Sequence, residues 1–332
     1  MLSYRLEALQ GCVIVTVVLL LGASCSSSTK DHLYFTSDRD GNLEIYSAEP
    51  SEGTETNLTN SRMDESSPRV SPDRKSLAFL SGSNDTTAVE VMFSDGSERA
   101  PVTLRSGVHR YPRWSPDGGR IAYLVDQGSK PEIFIAAADG TERELLTTIS
   151  GDEVGDWSED GKSVVFTVFD GEGQGIYIRN PDGVNELRLT QAPDYSPVWS
   201  PDSRRVAFLS TRDGNPEIYI MESDGSSQAT RLTDTEAAEY DISWSPNGKR
   251  LLFVSERDGN PEIYTLDPNG VDQTRLTYNN DPDNQPVWSP DGDRIAFVSY
   301  LDGDGEIFTM NTKGEDQVRI TNNAAQDTNP TW

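Results

Sequence analysis

The chain has 332 residues and a mass of 36.6 kDa, enough for a large core and too long for a disulfide-stapled miniprotein. Its 55 Asp and Glu outnumber 28 Lys and Arg, a formal net charge of −27 that repels nucleic acid and anionic lipid surfaces alike. Two Cys and two His, His32 and His109, exclude a disulfide framework, a Cys-rich zinc site and multi-His metal chemistry. Hydrophobic residues make up only 34%, a level that disordered chains share, but 6 Trp, 12 Tyr and 10 Phe imply a packed core.

Residues 1–24 read as an export signal. Arg5 gives a short basic start, and Cys12 to Leu21 is apolar apart from Thr16. That stretch is shorter than the roughly 20 residues of a membrane-spanning helix and fits the apolar centre of a signal peptide. Gly22-Ala23-Ser24-Cys25 resembles the lipobox of bacterial lipoproteins. The resemblance implies cleavage before Cys25, acylation of its thiol, and contact with the membrane through that lipid alone; plain signal cleavage is the simpler alternative. Residues 25–31, with Ser26, Ser27, Ser28 and Thr29, form a flexible tether. The expected address is the cell envelope, on a periplasmic or extracellular face.

Residues 32–332 are one repeat seven times over. All six tryptophans, Trp114, Trp157, Trp199, Trp244, Trp288 and Trp332, share one register. Their spacing of about 44 residues is that of a four-stranded propeller blade. One step back from Trp114, Pro68-Arg69-Val70-Ser71-Pro72-Asp73 carries the same motif with Val for Trp.

The unit is clearest over 197–232. Pro197-Val198-Trp199 is a short strand, and Ser200-Pro201-Asp202 turns it. Arg205 to Ser210 is the second strand, and Asp213-Gly214 marks a hairpin. Glu217 to Met221 is the third, Asp224-Gly225 turns again, and Thr230 to Thr233 is the fourth. The third-strand signature recurs as Glu44-Ile45-Tyr46, Glu132-Ile133-Phe134, Glu262-Ile263-Tyr264 and Glu306-Ile307-Phe308. Degenerate copies are Glu90-Val91-Met92-Phe93 and Gly175-Ile176-Tyr177. The repeat begins on a second strand, Leu33 to Thr36, and ends on a first strand, Asn329 to Trp332. The expected fold is therefore an all-β, seven-bladed propeller closed by pairing its two ends, which removes both open sheet edges. A closed ring of this kind is expected to act as a monomer. Each Trp is expected to pack between neighbouring blades.

The string Pro286-Val287-Trp288-Ser289-Pro290-Asp291-Gly292, with Arg294-Ile295-Ala296-Phe297 and Arg275-Leu276-Thr277, resembles the TolB-type, WD40-like propeller repeat. TolB is a periplasmic component of the Tol-Pal system whose propeller docks a protein partner. The resemblance implies an envelope protein as partner, and seven repeats here stand against the six blades of TolB.

Five residues before each Trp-register position lie Glu65, His109, Asp152, Asp194, Glu239, Asp283 and Asp327. Symmetric blades would set them on one ring at a mouth of the central channel. Such a ring would attract an envelope protein, a small cationic ligand or a hard cation such as Ca²⁺. The plainer reading is that each acid bonds backbone N–H groups and shapes its own loop. Asp38-Arg39-Asp40-Gly41-Asn42 and Asp302-Gly303-Asp304-Gly305-Glu306 lack calcium-loop spacing and read as hairpin turns. No catalytic residue and no cofactor is expected. The function expected is a non-catalytic, envelope-anchored binding scaffold; the alternative is a propeller enzyme acting on polysaccharide, of lyase or glycosidase type. A peptidase of the prolyl-oligopeptidase type is excluded by the lack of a G-x-S-x-G motif.

Overall fold

Turn chemistry sets the blades. After the first strand Asp194–Trp199, Ser200 Oγ donates to Asp202 Oδ1 at 2.6 Å, the same oxygen accepts Arg204 N at 3.1 Å, and Ser200 Oγ accepts Arg205 N at 3.0 Å. The short loop is thus closed by its own side chains. The pair recurs as Ser71–Asp73, Ser115–Asp117, Ser158–Asp160, Ser245–Asn247 and Ser289–Asp291. The serine hydrogen bond holds Asp202 below the usual carboxylate range.

The computed structural model describes residues 32–83, 85–128, 130–147, 152–169 and 171–332. The export signal, Cys25 and the tether lie outside the described residues. The described residues form seven four-stranded antiparallel sheets. Blade 1 is built from both ends of the repeat region: its first strand, Asp327–Thr331, pairs with Leu33–Ser37, with Tyr34 opposite Thr331 and Thr36 opposite Thr328. Blades 2 to 7 begin with the strands Asp64–Val70, Val108–Trp114, Glu153–Trp157, Asp194–Trp199, Glu239–Trp244 and Asp283–Trp288. These first strands touch one another in succession around the whole ring, so they are innermost. The expected closure is present, and no helix among the described residues is long and apolar enough to cross a membrane.

The core lies between blades. Seven apolar clusters each join two neighbouring blades, and together they close the circle. Because each sheet is covered on both faces, second strands such as Val164–Val168 and Leu251–Ser255 are buried throughout rather than alternating. One aromatic per blade is fully buried at the same place: Phe35, Phe79, Tyr123, Phe166, Phe208, Phe253 and Phe297. In six blades it faces the third-strand aromatic, as in Phe253–Tyr264 with ring centres 5.6 Å apart and Phe208–Tyr219 at 5.9 Å. The tryptophans pack against these inter-blade clusters as expected; Trp157, Trp244 and Trp332 are buried outright. Fourth strands are short and exposed, as in Thr230–Arg231, which limits the reach of the outer edge.

Candidate functional site

The ring positions of the repeat stand together at the start of the first strands, but their side chains point into protein. Glu65, His109, Asp194, Glu239, Asp283 and Asp327 are at most 1% exposed, and Asp152 is partly buried. An arginine meets four of the acids. Arg212 Nη2 donates to both oxygens of Asp194 at 2.8 and 2.7 Å, and Arg257 reaches Glu239 at 2.9 Å. Arg39 reaches Asp327 at 2.9 Å, and Arg99 reaches Glu65 at 2.8 Å. Arg39, Arg212 and Arg257 come from the second hairpin of the same blade, where the repeat reads Arg-Asp-Gly. In blade 7 Leu301 takes the arginine's place, and Asp283 is held by Asn279 at 2.7 Å. Asp152 accepts Phe169 N at 2.5 Å.

Burial dominates the electrostatics of this ring. It pushes Glu239 up to about 7 against the opposing pull of Arg257, and Asp283 up to about 6. It pushes His109 below the usual imidazole value, and neither ring nitrogen of His109 has a hydrogen-bond partner among the described residues.

A second layer of buried acids lies beside the first, at the Glu that opens the third strand in blades 1, 5, 6 and 7: Glu44, Glu217, Glu262 and Glu306. Glu217 accepts Arg231 Nη2 at 2.8 Å, Asn215 Nδ2 at 3.1 Å and Thr235 N at 2.7 Å. Glu262 accepts Arg275 at 2.8 Å and Thr277 Oγ1 at 2.5 Å. Asn260 donates to Glu262 at 2.9 Å and to the Asp281 carbonyl at 2.9 Å, latching the loop that leads to the next blade. The motifs D-G-N, E-I-Y and R-L-T are thus parts of one hydrogen-bonded clasp. Sequence reasoning missed the arginine partners, although their recurrence at fixed offsets from the acids was the available signal. Among the described residues no three His, Cys, Asp or Glu side chains converge to hold a metal ion.

The open site lies inside the ring of first strands. Six of these strands pass through a left-handed residue three places before the Trp position: Ser67, Tyr111, Ser196, Asp241, Gln285 and Asn329, with φ between 49° and 55°. Each forms a bulge with one extra residue against the second strand. Side chains of one blade reach the backbone of the next at this level. Glu153 accepts Ser196 N at 2.9 Å, Asp241 accepts Gln285 N at 3.1 Å, and Gln285 Oε1 accepts Asn329 N at 2.7 Å. At Gly155 the neighbouring blade is so close that a Cβ would lie 2.5 Å from the Pro197 carbonyl oxygen.

These strands enclose a cavity of about 330 Å³ whose lining includes Arg69, Arg113, Glu153, Asp241 and Gln285. Asp156, one place before Trp157, is exposed and lies near both arginines. Asp156 and Asp241 reach channel water, yet the surrounding protein raises both above the usual carboxylate range, as burial does for Glu153. The channel therefore carries positive charge at blades 2 and 3 and negative charge at blades 4 and 6. None of these residues belongs to the ring expected from the repeat.

The model of the TolB beta propeller domain matches residues 54–196, 84–227 and 191–300. A Protein TolB homolog of Chlorobium luteolum is 30% identical over 193 residues, 58% of this chain and 34% of that protein. The match spans about a third of that relative's length. A solved structure of putative TolB from Agrobacterium tumefaciens superposes with a TM-score of 0.56 at 26% identity, over 68% of this chain and 84% of that one. An oligogalacturonate lyase in complex with manganese superposes with a TM-score of 0.68 over 85% of this chain and 86% of that one, but at 16% identity it shares the fold alone. With seven blades of the matching repeat and a family model over most of their length, the chain belongs to the TolB beta propeller domain family.

Proposed function

We propose that this protein is a non-catalytic scaffold, anchored to the cell envelope through Cys25, that holds a protein partner at its central channel. The observation that carries the reading is a division of labour among the charges. The buried acids of the repeat are committed to protein donors, whereas the channel keeps Arg69, Arg113 and Asp156 in contact with solvent. The ring from Glu65 to Asp327 then serves by fixing the loops that frame the mouth. The TolB names of the relatives favour an envelope protein as the partner. An enzyme of lyase or glycosidase type would need an acid and a base free to meet substrate.

The test is cross-linked capture from envelope membranes, with the native chain set beside Asp156→Trp, which fills the channel at an exposed position. A partner retained by the native chain and lost by the filled variant, at unchanged thermal midpoint, supports the reading. Equal capture by both moves the partner to the outer surface. Turnover of a uronate oligosaccharide, detected as an unsaturated product, overturns the non-catalytic part.

A further inference from the structure

Arg69 and Arg113 occupy the same register in neighbouring blades, one residue before the Trp position, and both line the channel. Their environments are unlike those of the arginines that clasp the buried acids of the repeat. Arg39, Arg99, Arg212, Arg231, Arg257, Arg275 and Arg319 each pair with a carboxylate. Arg113 instead donates Nε to the Gly155 carbonyl at 2.7 Å and meets the Pro112 carbonyl at 3.4 Å. The Arg69 carbonyl accepts Trp114 Nε1 at 2.9 Å, but its guanidinium makes no hydrogen bond or ion pair with a protein group among the described residues. Burial lowers its pKa, the Arg113 charge lowers it further, and Asp156 raises it only in part. Two adjacent cations in a half-dehydrated channel repel each other, and neither is paired with a carboxylate. An anion placed between them offsets that repulsion.

The other charges of the channel define which anion. Glu153 spends its carboxylate on Ser196, and Asp241 spends its on Gln285. Glu153 and Asp241 in the lining, with Asp156 near both arginines, oppose a compact dianion, while a single planar carboxylate matches the guanidinium fork. A cavity of about 330 Å³ has room for one or two side chains, not a folded domain.

We propose that Arg69 and Arg113 form a recognition site for one carboxylate, carried on a polypeptide segment of the partner that enters the channel. The proposal rests on the scaffold reading above and reverses the sign of the ligand charge expected from the acidic repeat. The acids that suggested a cation are turned inward, and the open positions of two blades are basic.

The test titrates the full chain with the peptides acetyl-Gly-Glu-Gly-amide and acetyl-Gly-Gln-Gly-amide, and with inorganic phosphate, by calorimetry. The Glu peptide is expected to bind at least about tenfold more tightly than its neutral twin, as charge-assisted hydrogen bonds require. Arg69→Gln is expected to abolish that preference and Arg69→Lys to retain part of it. Asp156→Asn leaves both arginines in place, removes the opposing carboxylate and is expected to tighten binding of the Glu peptide, so the inference stays testable should Arg69→Gln fail to fold. Equal binding of the two peptides, no saturable binding, or phosphate bound more tightly than the Glu peptide with the same dependence on Arg69 would overturn it. Partner capture that Asp156→Trp abolishes but Arg69→Gln preserves would leave the scaffold standing and remove the carboxylate site alone.

Discussion

Blades 6 and 3 hold the same turn of the chain by different means. In blade 6 Glu239 pairs with Arg257, Glu262 pairs with Arg275, and Asn260 ties the clasp to the following loop. In blade 3 the first position is His109, the third-strand acid Glu132 is exposed, and Tyr123 replaces the phenylalanine found in the other six blades. Rings take over: His109 lies 5.7 Å from Tyr123, Tyr123 lies 6.1 Å from Phe134, and Arg143 sits 3.9 Å over Phe134. Both blades keep the four strands and the register of the first two. The ionic clasp is therefore an addition to a fold that inter-blade apolar packing already sustains. A buried pair contributes little net stability once its desolvation is counted, so a blade can lose it when rings fill the space.

The largest effect should be common to both blades. Phe253→Ala and Tyr123→Ala each empty one place in the ring of buried aromatics and should each cost about 4 kcal/mol in urea unfolding. Unequal costs would break the claim that packing is the shared element. The next effect should separate the blades. Arg257→Met leaves Glu239 buried with no cation and should cost about 3 kcal/mol. Blade 3 has no buried ring acid to strand, so Arg143→Met should cost less than about 1 kcal/mol. Similar losses in the two variants would place the clasp at the heart of the fold.

Dependence on pH should sharpen the contrast, with opposite signs. Glu239 is raised from its ordinary value of 4.5 to about 7. Its neutral form thus favours the folded chain, a contribution complete below pH 4.5 and lost as pH rises through 7. His109 is depressed below its ordinary 6.5 by burial, so its contribution is present above 6.5 and lost as pH falls through the lowered value. Urea midpoints measured across this range should show Glu239→Gln removing a downward slope with rising pH and His109→Phe removing an upward one. Slopes unchanged by both variants would mean that neither group titrates with folding. The smallest effect belongs to Tyr123→Phe. The Tyr123 hydroxyl has no hydrogen-bond partner among the described residues, so the exchange should lie within about 0.5 kcal/mol of neutral or stabilise slightly. A loss beyond about 1 kcal/mol would reveal a bond made by that hydroxyl in solution.

The sequence by itself determined the number of blades, the second strand Arg205–Ser210 to the residue, and the closure of Leu33–Ser37 by the last strand. These rest on local chemistry: serine–aspartate turns, Asp-Gly hairpins and apolar runs that repeat with the blade. The acidic positions recur at one place in each repeat, but only the tertiary structure decided the direction of their side chains. A residue such as Asp241 at φ 53° inserts one extra position into the first strand, so simple alternation from the Trp does not say which side chain faces the channel. The arginines that neutralise Asp194, Glu239 and Asp327 lie 18 residues or more away along the chain, and they meet these acids only once the strands pair. Arg69 and Arg113 carry no motif, because the channel position one before the Trp varies among Arg, Asp, Val, Ser and Thr from blade to blade. Their meaning comes from adjacency around a closed ring, where like charges from two blades are brought together and Asp156 offsets them only in part.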